Sequence, residues 1–212
     1  MMNTNATGRF ITFEGGEGAG KTTQIKFLAD HLREQGHDVL TTREPGGTPE
    51  AEKIRELLVQ QDGGNWDPLS ECLLFFTARR MHVETLIKPA LAAGKTVISD
   101  RFFDSTIAYQ GYGHGFDLDL IAHVQKISIG DFKPDLTFLL DLPVEDGLRR
   151  SQKRLSDAGS NEDKFENLDL AFHQRLRDGF LKMAQLDTAR FRIIDAKNSI
   201  EEIRKSIIEA ML

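Results

Sequence analysis

The chain reads as an α/β protein, a parallel five-stranded sheet with helices packed on both faces as three layers. Three observations predict this class. Short apolar, β-rich runs alternate with longer stretches of helical periodicity along the whole chain. Strands separated by helical crossovers form right-handed βαβ units, which run parallel and are covered on both sides. Finally, 212 residues can bury one substantial core with a movable appendage but would hardly make two full domains.

In order, the strands are expected at Arg9–Glu14, Asp38–Thr42, Thr96–Asp100, Asp135–Asp141 and Phe191–Ile194. The helices are expected at Thr23–Gln35, Pro49–Gln60, Pro68–Ala93, Leu118–Ile129, Val144–Arg154, Phe165–Asp187 and Ile200–Ala210, many of them bounded by Gly, Pro or Asp. Residues 1–8 form a polar tail, and residues 9–212 are expected to be one domain. Within it, the basic helix end and Ser-Asp-Ala-Gly-Ser-Asn-Glu-Asp loop of residues 149–166 read as a polar, mobile lid. In a parallel sheet the carboxyl ends of the strands share one edge, where ligands bind. The peptides after Glu14, Thr42 and Asp100 should therefore face one cleft.

Composition narrows the partners. With 27 basic and 33 acidic residues the net charge is −6, which argues against coating nucleic acid or an anionic membrane. An anionic ligand must be caught by clustered arginines instead. The tail lacks the apolar stretch of a secretory signal, and no segment offers about 18 uninterrupted apolar residues. A cytoplasmic protein is expected. The single cysteine, Cys72, excludes an intramolecular disulfide framework and lies in an apolar run, as a buried thiol would. The six histidines show no spacing suited to zinc, and no G-x-S-x-G elbow suggests a covalent intermediate.

Gly15-Gly16-Glu17-Gly18-Ala19-Gly20-Lys21-Thr22 matches G-x-x-x-x-G-K-[ST] between an expected strand and an expected helix. Glycines let backbone N–H groups turn inward around phosphate oxygens, and the helix N-terminus adds its positive dipole end. Residues Gly16 to Thr23 are thus the expected ATP site, with Lys21 reaching the β- and γ-phosphates. Thr22 would offer its hydroxyl to Mg²⁺, as would Asp100 its carboxylate, unless Asp100 is a helix cap. No guanine-reading Asn/Thr-Lys-x-Asp motif is present, which favours a small-molecule kinase over a GTPase.

Four more peptides extend this reading: Thr42-Arg43-Glu44-Pro45-Gly46-Gly47-Thr48, Leu74-Phe75-Phe76-Thr77-Ala78-Arg79, Ser99-Asp100-Arg101-Phe102 and Ser105-Thr106-Ile107-Ala108-Tyr109-Gln110-Gly111. Together with the phosphate loop they resemble the bacterial thymidylate kinases, from about Arg9 to the final helix. The resemblance implies a P-loop nucleoside monophosphate kinase fold and in-line transfer of the ATP γ-phosphoryl group to dTMP, with Mg²⁺. It implies that Arg101 and Arg55 grip the acceptor phosphate, where either could otherwise be a surface ion pair. Arg43 and Pro45 belong to the same acceptor side. Glu17 would face the acceptor sugar and phosphate. Phe75 and Arg79, four apart on one helix face, would stack on and hydrogen-bond to thymine, with core packing as the alternative for Phe75. Ser105, Thr106, Tyr109 and Gln110 would line the base and sugar, Tyr109 crowding the 2′ position.

The same resemblance separates relatives with an arginine in the phosphate loop from those that supply it from the lid. This loop has none, which implies the lid type. Arg149 and Arg154 are the candidate catalytic cations, beside Arg150 and Lys153, although a charge run can equally be a solvated face. Lys164 stands where many relatives carry arginine, and it keeps the charge but not the bidentate geometry. Glu166 resembles an acidic position near the acceptor, with a helix cap as its alternative. Relatives are usually homodimers, and the long helix at 68–93 is apolar enough to pair, though burial within the monomer would explain that too. Two other functions remain open from sequence: a kinase of the same fold with another nucleoside monophosphate, and a non-catalytic nucleotide sensor.

Overall fold

A computed structural model describes residues 8–60, 63–158 and 168–211, without the side chains of residues 154–158. Five strands, β1 (Phe10–Glu14), β2 (Val39–Arg43), β3 (Thr96–Asp100), β4 (Leu136–Asp141) and β5 (Phe191–Asp195), form one parallel sheet in the order β2-β3-β1-β4-β5. The register sets Asp100 level with Arg43 on one side and Phe13 on the other. The carboxyl ends of the three strands that carry the motifs therefore meet at one edge.

Helices cover both faces. Helix α1 (Lys21–Glu34) and the C-terminal α9 (Ile200–Glu209) pack with Ile11, Phe13, Phe138, Leu140 and Ile194 into one core. On the other face Phe10, Phe76, Val97, Phe102 and Ile121 form a second core, and Leu139, Phe172, Leu176 and Phe180 a third. All five residues of β1 are buried, so it reads as a continuous apolar run with Thr12 and Glu14 as exceptions. Thr12 meets Thr137 of β4 through their hydroxyls (2.8 Å), which removes the cost of burying both.

Helix starts follow simple chemistry. Thr48 caps α2 (Pro49–Val59) and Asp67 caps α3 (Pro68–His82), each followed by a proline whose missing N–H costs nothing in the first turn. The expected long helix at 68–93 is present as α3, a π-helical stretch (Val83–Ile87) and α4 (Lys88–Ala92). The wide turns sit just before Pro89, which cannot donate to the helix ladder. Helix α6 (Leu118–Ile129) occurs where expected, whereas α7 (Val144–Ala158) runs four residues past the expected Arg154 and takes in the first three residues of the expected loop; α8 (Leu170–Leu186) starts later than the expected Phe165, which lies outside the described residues.

One element departs from the sequence reading. Residues 103–113 are helical, as α5 (Phe103–Thr106) and a π-helix (Ile107–Gly113). Serine, threonine and two glycines hide that helix from propensity, and close packing on α8 overrides it. Cys72 is fully buried, and burial pushes its thiol up to about 11 although Arg79 pulls the other way. It is an inert core residue.

Candidate active site

A cleft of about 1110 Å³ opens above the carboxyl edge of the sheet. Its wall includes Glu17, Gly18, Ala19, Gly20, Lys21, Thr22 and Thr23 from the phosphate loop, and Arg43, Pro45 and Arg55 from β2 through α2. Phe75 and Arg79 reach it from α3, Asp100 and Arg101 from the end of β3, and Ser105, Thr106, Tyr109 and Gln110 from the helical segment the sequence did not reveal. The fold thus gathers every expected site residue of these peptides except Gly16, which lines a small recess behind the loop.

The phosphate loop is bent by glycine. Gly18 holds φ 67°, and a Cβ there would strike the carbonyl of Gly147 on α7, so only glycine lets the loop pass this close to that helix. Lys21 Nζ lies along the loop, donating to the carbonyls of Gly15 (3.1 Å) and Gly16 (3.0 Å). Burial and the neighbouring Arg101 lower its pKa, against the opposing pull of Glu17, Asp100 and Glu14. Thr22 Oγ1 donates to Asp100 Oδ2 across 3.1 Å.

Arg101 is the hub. It is the one described residue other than glycine with positive φ (69°), a strained backbone position that aims its side chain back over the sheet edge. Its Nη1 donates to Gly15 O and to Ser105 Oγ (both 3.1 Å), and its Nη2 to Glu17 Oε1 (2.8 Å) and Tyr109 Oη (2.9 Å). Tyr109 in turn donates to the same Glu17 oxygen at 2.5 Å. Burial disfavours the Arg101 charge, but Tyr109, Glu17, Asp100 and Glu14 outweigh that and raise its pKa. Burial likewise raises the Tyr109 phenol well above its usual value.

The strained turn rests on Glu14, which the sequence marks only as the end of β1 and gives no role. Its carboxyl is fully buried, accepts from the Phe102 backbone N–H (2.8 Å) and from Ser105 Oγ (2.6 Å), and is pushed up to about 8 by burial and by Asp104, with Arg101 opposing. Glu44 stands in one of the resembling peptides but takes no role from the resemblance. It bonds Arg79 Nε (2.7 Å) and His82 Nδ1 (3.0 Å), and His82 Nε2 meets Thr42 Oγ1 (2.7 Å), so a buried chain from β2 holds Arg79. Arg79 further donates to Phe102 O and Thr106 Oγ1. Phe75 packs with Leu58 and Val59, as its core alternative has it, and also lines the cleft. Arg55 Nη1 donates to Pro45 O (2.9 Å), and Arg43 pairs with Glu52, which also accepts from Gly47 N–H.

The lid cations divide. Arg150 and Ser151 line the cleft, with Arg150 Nη1 donating to Ala196 O (3.2 Å). Arg149 does not line it; its side chain is 77% exposed and pairs with Asp146 one turn back. The side chain of Arg154, together with Lys164 and Glu166, lies outside the described residues. Among the described residues no cluster of three His, Cys, Asp or Glu could hold a metal, and no helix is long and apolar enough to cross a membrane.

Comparison with known proteins agrees with this geometry. Residues 13–207 match the family model for thymidylate kinase. The chain is 50% identical to the thymidylate kinase of Geotalea uraniireducens (strain Rf4) over 206 residues, and 47% identical to that of Geobacter sulfurreducens over 206, each match covering 97% of both chains. The crystal structure of thymidylate kinase from Ehrlichia chaffeensis superposes with a TM-score of 0.77 at 39% identity, covering 96% of this chain and 98% of the other. The chain belongs to the thymidylate kinase family.

Proposed function

We propose that this cleft phosphorylates dTMP to dTDP, ATP giving its γ-phosphoryl group by direct in-line transfer. Membership of the family makes the chain a kinase of dTMP in nucleotide biosynthesis with ATP as donor. The observation that carries the division of labour is that one cleft has a phosphate loop at one end and an apolar, arginine-bearing pocket at the other. A triphosphate and a monophosphate meeting there repel strongly, and the protein must answer that with fixed positive charge.

Lys21 and the loop N–H groups take the ATP phosphates. Arg101, held by Glu17, Tyr109 and Ser105, takes the acceptor phosphate together with Arg55, and its charge needs no reorganisation as the reaction proceeds. Glu17 and Tyr109 face the acceptor sugar. Phe75 stacks on thymine while Arg79, Thr106 and Gln110 read its edge, and Arg43 and Pro45 complete that wall. In this reading the lid of residues 149–166 closes over ATP and excludes water, and a cation from it, Lys164 or one of Arg149, Arg150 and Arg154, neutralises the transferring group.

The paired Thr22 hydroxyl and Asp100 carboxylate suit Mg²⁺, a hard cation that takes few protein oxygens and fills its shell with water and phosphate oxygens. When bound, Mg²⁺ neutralises charge on the reacting phosphate oxygens. Exposed Leu69 and Leu73, four apart on α3, leave apolar surface uncovered and support pairing of two copies through the long helix at 68–93. The enzyme is assigned to the cytoplasm. A kinase of another monophosphate and a non-catalytic sensor are not favoured. An ADP-release assay with ATP, Mg²⁺ and a panel of monophosphates tests the reading: dTMP should be strongly preferred, and turnover of another acceptor in its place, or ATP binding without turnover, would overturn it.

A further inference from the structure

Two polar atoms of side chains that line the cleft are closed to solvent and have no hydrogen-bond partner among the described residues: Arg79 Nη1, a donor, and Gln110 Oε1, an acceptor. Each belongs to a side chain held from behind by a buried glutamate. Glu44 accepts from Arg79 Nε at 2.7 Å, and Glu71 Oε2 accepts from Gln110 Nε2 at 2.9 Å. Glu71 is 5% exposed and Gln110 1%. Glu71, Phe75 and Arg79 follow one another at four-residue steps on one face of α3.

An amide side chain can turn over and exchange its donor for its acceptor at little cost in shape. Here a carboxylate removes that freedom, because it only accepts. Turning the Gln110 amide would set its oxygen against the Glu71 oxygen with no proton between two buried acceptors. The amide nitrogen therefore stays on Glu71, and the oxygen is the atom left for a ligand.

We infer that Glu71 is a positioning residue that sets acceptor specificity: by holding the Gln110 amide in one orientation, it makes the cleft read a pyrimidine with N3–H beside a 4-carbonyl and reject cytosine. This rests on the dTMP reading above. Thymine and uracil offer an acceptor at O4 for Arg79 and a donor at N3 for Gln110. Cytosine offers a donor and an acceptor at the same places, so it meets donor with donor and acceptor with acceptor. Were Gln110 free to turn, it could satisfy cytosine N3; Glu71 prevents this. Selectivity built from buried groups left unpaired by the wrong ligand is of the strong kind.

Steady-state kinetics of the full chain with ATP and dTMP, dUMP or dCMP test the assignment. In Glu71→Gln, whose amide can donate as well as accept, kcat/KM for dTMP should fall about tenfold through KM, and that for dUMP in parallel. The dTMP-over-dCMP ratio should fall about a hundredfold while the KM for ATP stays constant. Equal losses for dTMP and dCMP, or an unchanged ratio, overturn the inference while leaving the dTMP reading intact; a parent protein that does not prefer dTMP overturns that reading instead. If Glu71→Gln fails to fold, Glu71→Met decides the matter: it removes the acceptor that fixes the Gln110 amide at similar length and should lose the ratio, whereas a retained ratio sinks the proposal.

Discussion

The two ends of the cleft hold their cations in opposite ways. At the acceptor end Arg101 is tied to the phosphate loop, to Glu17 and to two residues of the following helical segment, and Arg79 to Glu44 just after β2, to Phe102 and to Thr106. On α7, Arg149 pairs only locally among the described contacts, one turn away, and Arg150 makes a single long bond to a backbone carbonyl. Long-range, buried ties fix a guanidinium before any ligand arrives; a local tie on an exposed helix leaves it free to be recruited. Fixed charge at one end suits the acceptor site proposed above, whereas the proposed lid would bring its cation only as water is excluded from the γ-phosphoryl group.

The comparison breaks most easily at Arg101. Arg101→Ala should lower kcat/KM for dTMP by about 10²–10³-fold, the scale of losing a preorganised charge, with little effect on ATP affinity. Kinetics with each substrate varied in turn, alongside ATP binding by calorimetry, separate the two. If activity equalled that of the parent, the acceptor end would not depend on its hub. Phe75→Ala should raise KM for dTMP about tenfold by removing a stacking plane, and it also opens a cavity beside Leu58 and Val59, costing about 3 kcal/mol of stability. An unchanged KM with lowered stability would make Phe75 a core residue alone.

On the other side, Arg150→Ala should slow kcat more than Arg149→Ala, because only Arg150 lines the cleft. The expected gap is about tenfold or more in single-turnover rates, at the lower edge of what a catalytic arginine contributes. The reverse order would mean that closure turns α7 so as to exchange the two side chains.

What the sequence could reveal divides along a similar line. The five strands and the phosphate loop were legible because their signals are local: apolar runs, breakers, and glycines beside Lys21. The peptides that carry Arg101, Phe75 and Arg79, and with them Arg55, stood out through the resemblance, and the fold brings them to one cleft. Glu14, Glu44, Glu71 and His82 took no role from the sequence. Their roles come from burial and from partners 35 or more residues away, which no spacing announces. Even Glu71, at a regular four-residue step before Phe75 and Arg79, looks in sequence like a solvated helix-start acid. Residues 103–113 escaped for a related reason. Gly113 and Gly179 weaken helices, but a Cβ on either would come within 2.5 Å of Phe172 or Tyr112 respectively, so the glycines are what let this segment lie against α8.

The smallest expected effect concerns the foundation of the acceptor end. Glu14 is raised to about 8 by burial and Asp104, despite Arg101 beside it. A carboxyl whose folded pKa exceeds its unfolded value binds its proton more tightly in the native state. Its contribution to stability is therefore full below the unfolded pKa near 4.5, is lost as pH rises towards about 8, and changes little above that. Glu14→Gln keeps an acceptor for the Phe102 N–H and cannot ionise. The difference in unfolding free energy between parent and variant should consequently swing in favour of the variant from pH 5 to pH 8.5, while other titrating groups cancel. Paired urea titrations across that range measure it. A flat difference would mean that Arg101 compensates the buried charge in full, and that the strained turn rests on an ion pair rather than on a carboxyl held neutral through the acid half of the range.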